Sequence, residues 1–240
     1  MTLTQIRALF ESRSGRSDLV NADGSDNGAD FFIQSGQRTL ERLVEVDKSW
    51  ARSYKTLAAG DYYAIFKGCR AVKEVWLSTA DGRVRLEKVS QREMREEYYE
   101  DAPDAVTQGD TLSYCLISLR TYPDADAVVI DYLYDDELTD DATTDYEYTG
   151  IIFQPPPDVA AQLEVFGLFY SPKLSDDADK NYWTVNHPEI LLIGALYQLE
   201  VAYRNTEGAN DWMRAIQLEL VGLEKDWVES EIADVTQIEG

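Results

Sequence analysis

The stretch His187-Pro188-Glu189-Ile190-Leu191-Leu192-Ile193-Gly194-Ala195-Leu196-Tyr197-Gln198-Leu199 decides the fold. Ile190, Leu191, Leu192, Ile193, Ala195, Leu196 and Leu199 make it apolar nearly all round, and such a helix is buried on most of its sides. Pro188 falls at the first helical position, where a missing N–H costs nothing. Gly194 lets another backbone approach closely. A helix of this kind needs partners. One follows it: Asn205-Thr206-Glu207-Gly208 reads as a turn ended by Gly208, with Asn210 capping a second helix. The stripe of that helix is Trp212, Ile216, Leu220, Leu223 and Trp227, spaced three and four apart.

The other partners lie at the far end of the chain. Thr2 or Thr4 caps an opening helix carrying Ile6, Leu9 and Phe10. After a turn-rich loop, Asp26 or Asn27 caps a helix that should end near Asp47. It carries Phe32, Ile33, Gly36, Leu40, Leu43 and Val44 on one face and Arg38, Glu41, Arg42 and Glu45 on the other.

Between the helical ends the period changes to two, starting at Gly60. Strands are expected over 62–67, 71–77, 83–86, 112–121, 128–134, 146–153 and 163–170, with a hairpin turn at Asp81-Gly82 and a short helix over 90–99. Pro155, Pro156 and Pro157 separate the last two strands, because proline cannot donate to a ladder. The expected fold is α+β: a helical bundle formed by the N- and C-terminal segments, with an inserted β-rich domain. The expected divisions are 1–58, the N-terminal helices; 59–185, the β-rich insertion with acidic loops; and 186–240, the C-terminal helices and tail.

Charge narrows the function. The chain has 240 residues, 22 Lys and Arg against 45 Asp and Glu, and so a formal charge of −23. Such a chain does not grip nucleic acid through its phosphates, since that affinity comes from cations displacing counterions. An anionic membrane surface is disfavoured for the same reason. No apolar stretch approaches the roughly 20 residues of a membrane span, and the N-terminus does not read as a signal peptide. Residues 122–149 hold Asp124, Asp126, Asp131, Asp135, Asp136, Glu137, Asp140, Asp141, Asp145 and Glu147, with no Lys or Arg. They read as a strand flanked by acidic loops.

No catalytic set emerges. His187 is the one histidine and sits at a helix start, where a cap or packing role is the simpler reading. Cys69 and Cys115 read as small buried hydrophobes in a reducing compartment. Two scattered cysteines and one histidine cannot build a zinc site. The acidic stretch lacks the glycine and spacing of a calcium loop. A glycosidase needs two carboxylates in a cleft, whereas clustered exposed acids have no reason for displaced pKa values. No cofactor, metal or catalytic residue is expected.

Four runs resemble the tailed-bacteriophage head-to-tail connector adaptor family. Asp26-Asn27-Gly28-Ala29-Asp30-Phe31-Phe32-Ile33-Gln34-Ser35-Gly36-Gln37-Arg38-Thr39-Leu40-Glu41-Arg42 is similar to the family's first core helix. Trp183-Thr184-Val185-Asn186-His187-Pro188-Glu189-Ile190-Leu191-Leu192 resembles its W-x-x-x-H-P-D/E-L-L helix entry. Arg204 to Trp212 resembles the turn between its last two helices, and Phe169 to Leu174 its last strand. The resemblance implies a four-helix bundle with an inserted β-domain in a non-enzymatic structural protein of the virion neck, made in the host cytoplasm.

Such an adaptor binds the portal protein after DNA packaging and forms a ring with copies of itself, usually twelve. It extends the channel through which packaged DNA passes without specific binding, and offers the stopper or tail protein its attachment surface. No membrane is involved. By the same resemblance Val228, Ile232, Val235 and Ile238 would dock on the portal. Phe32, Leu40, Leu192, Leu199, Trp212, Ile216, Leu220 and Trp227 would pack the helical core. An acidic lumen would repel DNA, whereas one lined by Arg7, Arg13, Arg16 and Arg38 would argue against this role. The alternatives are another stopper or tail-completion protein, a particle-associated glycan-binding module, or a carboxylate-dependent glycan hydrolase.

Overall fold

A computed structural model describes residues 1–44, 49–98, 106–117 and 148–233. The elements open with α1 (Leu3–Ser14), a 3-10 turn (Ser17–Leu19) and α2 (Ala29–Leu43). The β-region follows as β1 (Trp50–Leu57), β2 (Tyr63–Lys67), β3 (Cys69–Thr79), β4 (Gly82–Arg85), β5 (Glu87–Lys88), α3 (Gln91–Tyr98), β6 (Ser113–Ile117), β7 (Tyr148–Gln154) and β8 (Ala161–Phe169). Helices α4 (Tyr182–Asn186), α5 (Pro188–Ala202) and α6 (Thr206–Ala233) close the chain. The class is α+β, as the order of periodicities predicts.

The chain falls into two compact units, Met1–Ser49 with Tyr170–Gly240, and Trp50–Phe169. The sequence reading puts the divisions at 58/59 and 185/186 instead. Two stretches make the difference: β1, which joins the sheets, and residues 170–185, which lie with the helices.

In the helical unit, local chemistry fixes where each helix starts. Thr2 and Gln5 form a capping box on α1, and Gly15 closes it in the left-handed region at φ 68°. The Asp26 carboxylate accepts the N–H groups of Gly28 and Asp30 at 3.0 and 2.9 Å, which starts α2. That helix ends at Leu43, short of the expected Asp47. Asn181 and Thr184 form a second capping box on α4, a helix the periodicity did not separate from α5. Pro188 stands at the head of α5 as expected. The expected Asn210 cap is corrected. Asn205 Oδ1 accepts from the Gly208 N–H, α6 starts at Thr206, and both Gly208 and Asn210 lie inside the helix.

These helices share one apolar core that includes Ile6, Phe10, Ile33, Leu40, Trp183, Leu191, Ala195 and Ile216. α2 and α5 meet almost backbone to backbone. A Cβ placed on Gly36 would lie 2.5 Å from the Ala195 nitrogen and 2.6 Å from the Gly194 carbonyl carbon. On α6 the buried side is Ile216 and Leu220, with Trp212 and Leu223 partly buried against the core.

Among the described residues the second unit contains two four-stranded sheets, in the orders β1-β8-β3-β4 and β2-β7-β6-β5. β1 runs antiparallel to β8, from Trp50 opposite Leu168 to Leu57 opposite Ala161. The sheets pack face to face over Leu57, Val75, Leu163 and Val165 from one and Phe66, Tyr114, Ile151 and Phe153 from the other. The β3–β4 hairpin turns through Ala80 and Asp81, one residue before the expected Asp81-Gly82, so that Gly82 opens β4 opposite Thr79, and α3 occupies most of the expected 90–99. The strand expected over 128–134 lies outside the described residues.

Gly36→Ala is expected to lower unfolding stability by about 1–3 kcal/mol, because the methyl meets backbone that cannot swing aside. Gly222→Ala, in α6 with nothing within 4 Å of the added carbon, is expected to raise it by about 0.5–1 kcal/mol. Urea titration of both variants checks the pair.

Candidate functional site

The helical unit is tied together by polar groups that apolar periodicity does not reveal. Glu41 belongs to the outer face of α2 on sequence; the structure corrects this, leaving it only 4% exposed. Its Oε1 accepts from Trp183 Nε1 at 3.1 Å and from the Ser171 N–H at 2.9 Å. Beside it, the Gln37 amide donates to the Ser171 carbonyl and accepts from Asn181 Nδ2 at 2.8 Å. Asn181 also donates to the Pro172 carbonyl. A buried carboxylate is tolerated when hydrogen bonds replace its water. Here those bonds hold residues 171–183 against α2.

Arg7, Arg13, Arg16 and Arg38 are placed as well. Arg7 is 3% exposed, grips both Asp30 oxygens at 2.6 and 2.7 Å, and bonds Asp177. The Asp30 hydrogen bonds, partly opposed by burial, hold its guanidinium well above the usual arginine range, so it stays charged. A side chain so enclosed does not line a channel. Arg16 forks onto Asp18 and lies over the Tyr203 ring, Arg38 lies over Tyr170 at 3.9 Å, and Arg13 is 3.7 Å from Glu189.

α6 carries apolar residues on two opposite sides. One side, Trp212, Ile216, Leu220 and Leu223, packs on the core. The other presents Leu218, 76% exposed, and Val221, 50% exposed. Three residues apart on one helix face, these two make a short apolar stripe open to solvent. A side of α6 that is apolar and does not pack on the core is a candidate contact surface.

The expected core residues Leu40, Leu192, Leu199, Ile216 and Leu220 are buried in the helical cluster, while Phe32 and Trp212 pack against it. Trp227, Val228 and Ile232 lie along α6, with side chains outside the described residues. Val235 and Ile238 lie outside them altogether.

A family model of the SU10 adaptor protein matches residues 1–231. The chain belongs to the SU10 adaptor protein family. No curated protein matches it. The family is one of phage neck adaptors, and membership implies a head-to-tail adaptor role that is structural rather than enzymatic.

The adaptor's chemistry-bearing residues are placed for packing. The His187 ring sits against Tyr182 and Trp183, at centroid distances of 5.3 and 6.4 Å. Among the described residues no three His, Cys, Asp or Glu gather as a metal site, and no helix is long and apolar enough to cross a membrane. Cys69 and Cys115 are free thiols. Burial pushes Cys69 up to about 11 and Cys115 above its ordinary value. Both are therefore expected to react slowly with a thiol reagent at pH 8 and quickly once denaturant is added, since the thiolate is the nucleophile. A time course of mass shift reads this.

The adaptor should also lose a loop tie in acid. The Asp179 carboxylate accepts the N–H groups of Asp176 and Ser175, which hold its pKa below the usual carboxylate range. The Asp179 carbonyl in turn accepts from the Leu3 N–H at the head of α1. A carboxyl with a depressed folded pKa stabilises the fold above its unfolded value, and that contribution disappears as pH falls through the folded one. The difference in Tm between the natural chain and Asp179→Ala is expected to stay constant down to about pH 5 and to close below about pH 4. Thermal scans across that range measure it.

Proposed function

We propose that this adaptor binds the portal protein after DNA packaging and assembles there into a ring of its own copies, twelve by the habit of its family. The ring extends the DNA channel and presents the surface on which the stopper or tail protein attaches. The observation that carries this reading is the open apolar stripe of α6, Leu218 and Val221, on a helix that leads toward the C-terminal segment. Isolated exposed leucines are ordinary, but two on one helix face opposite a packed face fit an assembly surface. The net charge of −23 fits a conduit, because acidic walls repel a DNA backbone passing through.

In this reading Leu218 and Val221 meet a neighbouring copy, while Val228, Ile232, Val235 and Ile238 engage the portal. Val228→Asp with Ile232→Asp is expected to abolish co-sedimentation with portal while leaving Tm within a few degrees of the natural chain. Leu218→Ser with Val221→Ser is expected to leave portal binding by single copies and to block ring closure. A symmetry-resolved cryo-EM map of the neck decides the placement. Density for this chain directly beneath the portal supports the proposal; density anywhere else in the particle overturns it.

A further inference from the structure

The outward face of the β1-β8-β3-β4 sheet departs from the acidic character of the chain. Arg52, Lys73, Arg83 and Arg85 stand on it with two carboxylates, Glu74 and Glu164, so the six charges sum to +2. The face is rigidly built. Arg83 and Arg52 converge on Glu164, the latter at 3.4 Å, and leave that carboxylate 7% exposed. Glu74 takes Arg85 at 3.2 Å and the Trp76 indole N–H at 2.9 Å.

The cations also lie over rings. Arg83 sits 4.5 Å from the Trp76 centroid, and Lys73 5.4 Å from that of Trp50, which stacks on Phe166 at 5.2 Å. The guanidinium groups keep their outer edges in solvent, with Arg52, Arg83 and Arg85 side chains 58, 48 and 58% exposed. Arginine and tryptophan held in place on a half-exposed surface is the composition of binding hot spots.

We propose that this face receives the acidic stretch 122–149 of a second copy of the chain. That stretch carries ten carboxylates and no cation, in the same unit as this arginine-bearing face. Charge complementarity of this kind sets register and partner choice. The sheet arrangement favours the neighbour's segment over the chain's own. Residues 122–147 lie in the chain between β6 and β7, paired strands of the other sheet, whereas the cationic face looks away from that sheet. The tyrosines at 132, 134 and 146 add rings that stack on Trp50 and Trp76. Copies need to meet for this contact, which the assembly proposed above supplies. The contact rests on that reading, and portal docking is read separately by co-sedimentation, so the failure of one is distinguishable from the failure of the other.

The test uses the intact chain. A photo-crosslinking residue replaces Tyr54, which is 54% exposed on this face opposite Glu164. Natural-abundance and 15N-labelled copies are mixed with the portal protein, irradiated at low salt, and mapped by mass spectrometry with and without a DNA duplex. Heavy-to-light crosslinks from position 54 into 122–149 are expected. They should fall about tenfold at high salt, and as far in Arg52→Glu with Arg83→Glu. Because that pair also disturbs Glu164, Asp135→Asn with Asp136→Asn and Glu137→Gln is the second variant; it leaves the sheet untouched and should remove the same crosslinks. Crosslinks within a single copy, into any other segment or into the duplex overturn the proposal, as does their absence.

Discussion

The close passage of α2 over α5 is the constraint on which the helical unit depends. Gly36 sits so near Gly194 and Ala195 that α2 cannot carry a β-carbon there, and one on Gly194 would press on the Gly36 carbonyl oxygen and the Leu40 side chain at 3.3 Å. Packing this tight draws together two segments far apart in the chain. The amide of Gln198 reaches the Thr39 hydroxyl at 2.7 Å across 159 residues. Dispersion and apolar burial fall off steeply with a gap of an ångström, so the cores on either side, Leu40 and Ile33 below and Leu191 and Leu196 above, all depend on that contact being made.

The polar seam beside the crossing gives direction to what the apolar core alone would leave loose. A greasy helix such as α5 can rotate against its neighbours at little energetic penalty, since it is apolar nearly all round. Glu41, Gln37 and Asn181 do not allow the chain leading into it that freedom, because each requires its hydrogen-bond partners once removed from water. Trp183, buried whole and bonded to Glu41 through its indole nitrogen, is held by both kinds of force. The seam thereby sets where α4 ends and α5 begins.

Much of this was legible in the amino-acid order, and what was not has physical reasons. α5 announced itself by being apolar on every side, α2 by its stripe, and the β3–β4 hairpin by Asp81-Gly82. β1 did not. Its inward positions are Ala51, Ser53 and Lys55, and only Leu57 is fully buried, so its strand character comes from pairing with β8 rather than from its own alternation. Glu41 and Arg7 were hidden for another reason. Charged residues read as outward, and their partners, Trp183 and Ser171 for one, Asp30 and Asp177 for the other, are remote in sequence. The cap of α6 was displaced because two asparagines flank the same turn and only geometry chooses Asn205. The family's pattern was legible through residues that pack and turn, while the assembly surfaces were not, because Leu218 and Val221 differ from core leucine and valine only in having nothing over them.

The pairing of β1 with β8 bears on how such a chain finds its fold. The strand that enters the inserted unit and the strand that leaves it are hydrogen-bonded neighbours, with Trp50 opposite Leu168. Antiparallel partners stand about 5 Å apart. Once those two strands zip, the whole intervening length shrinks, from the viewpoint of the helices, to the span of a single rung. The entropy of closing a loop grows with the length left free, so a crossing that joins distant residues becomes nearly a local contact. The same short span would let an insert be enlarged, trimmed or exchanged over evolutionary time without the helices registering the change.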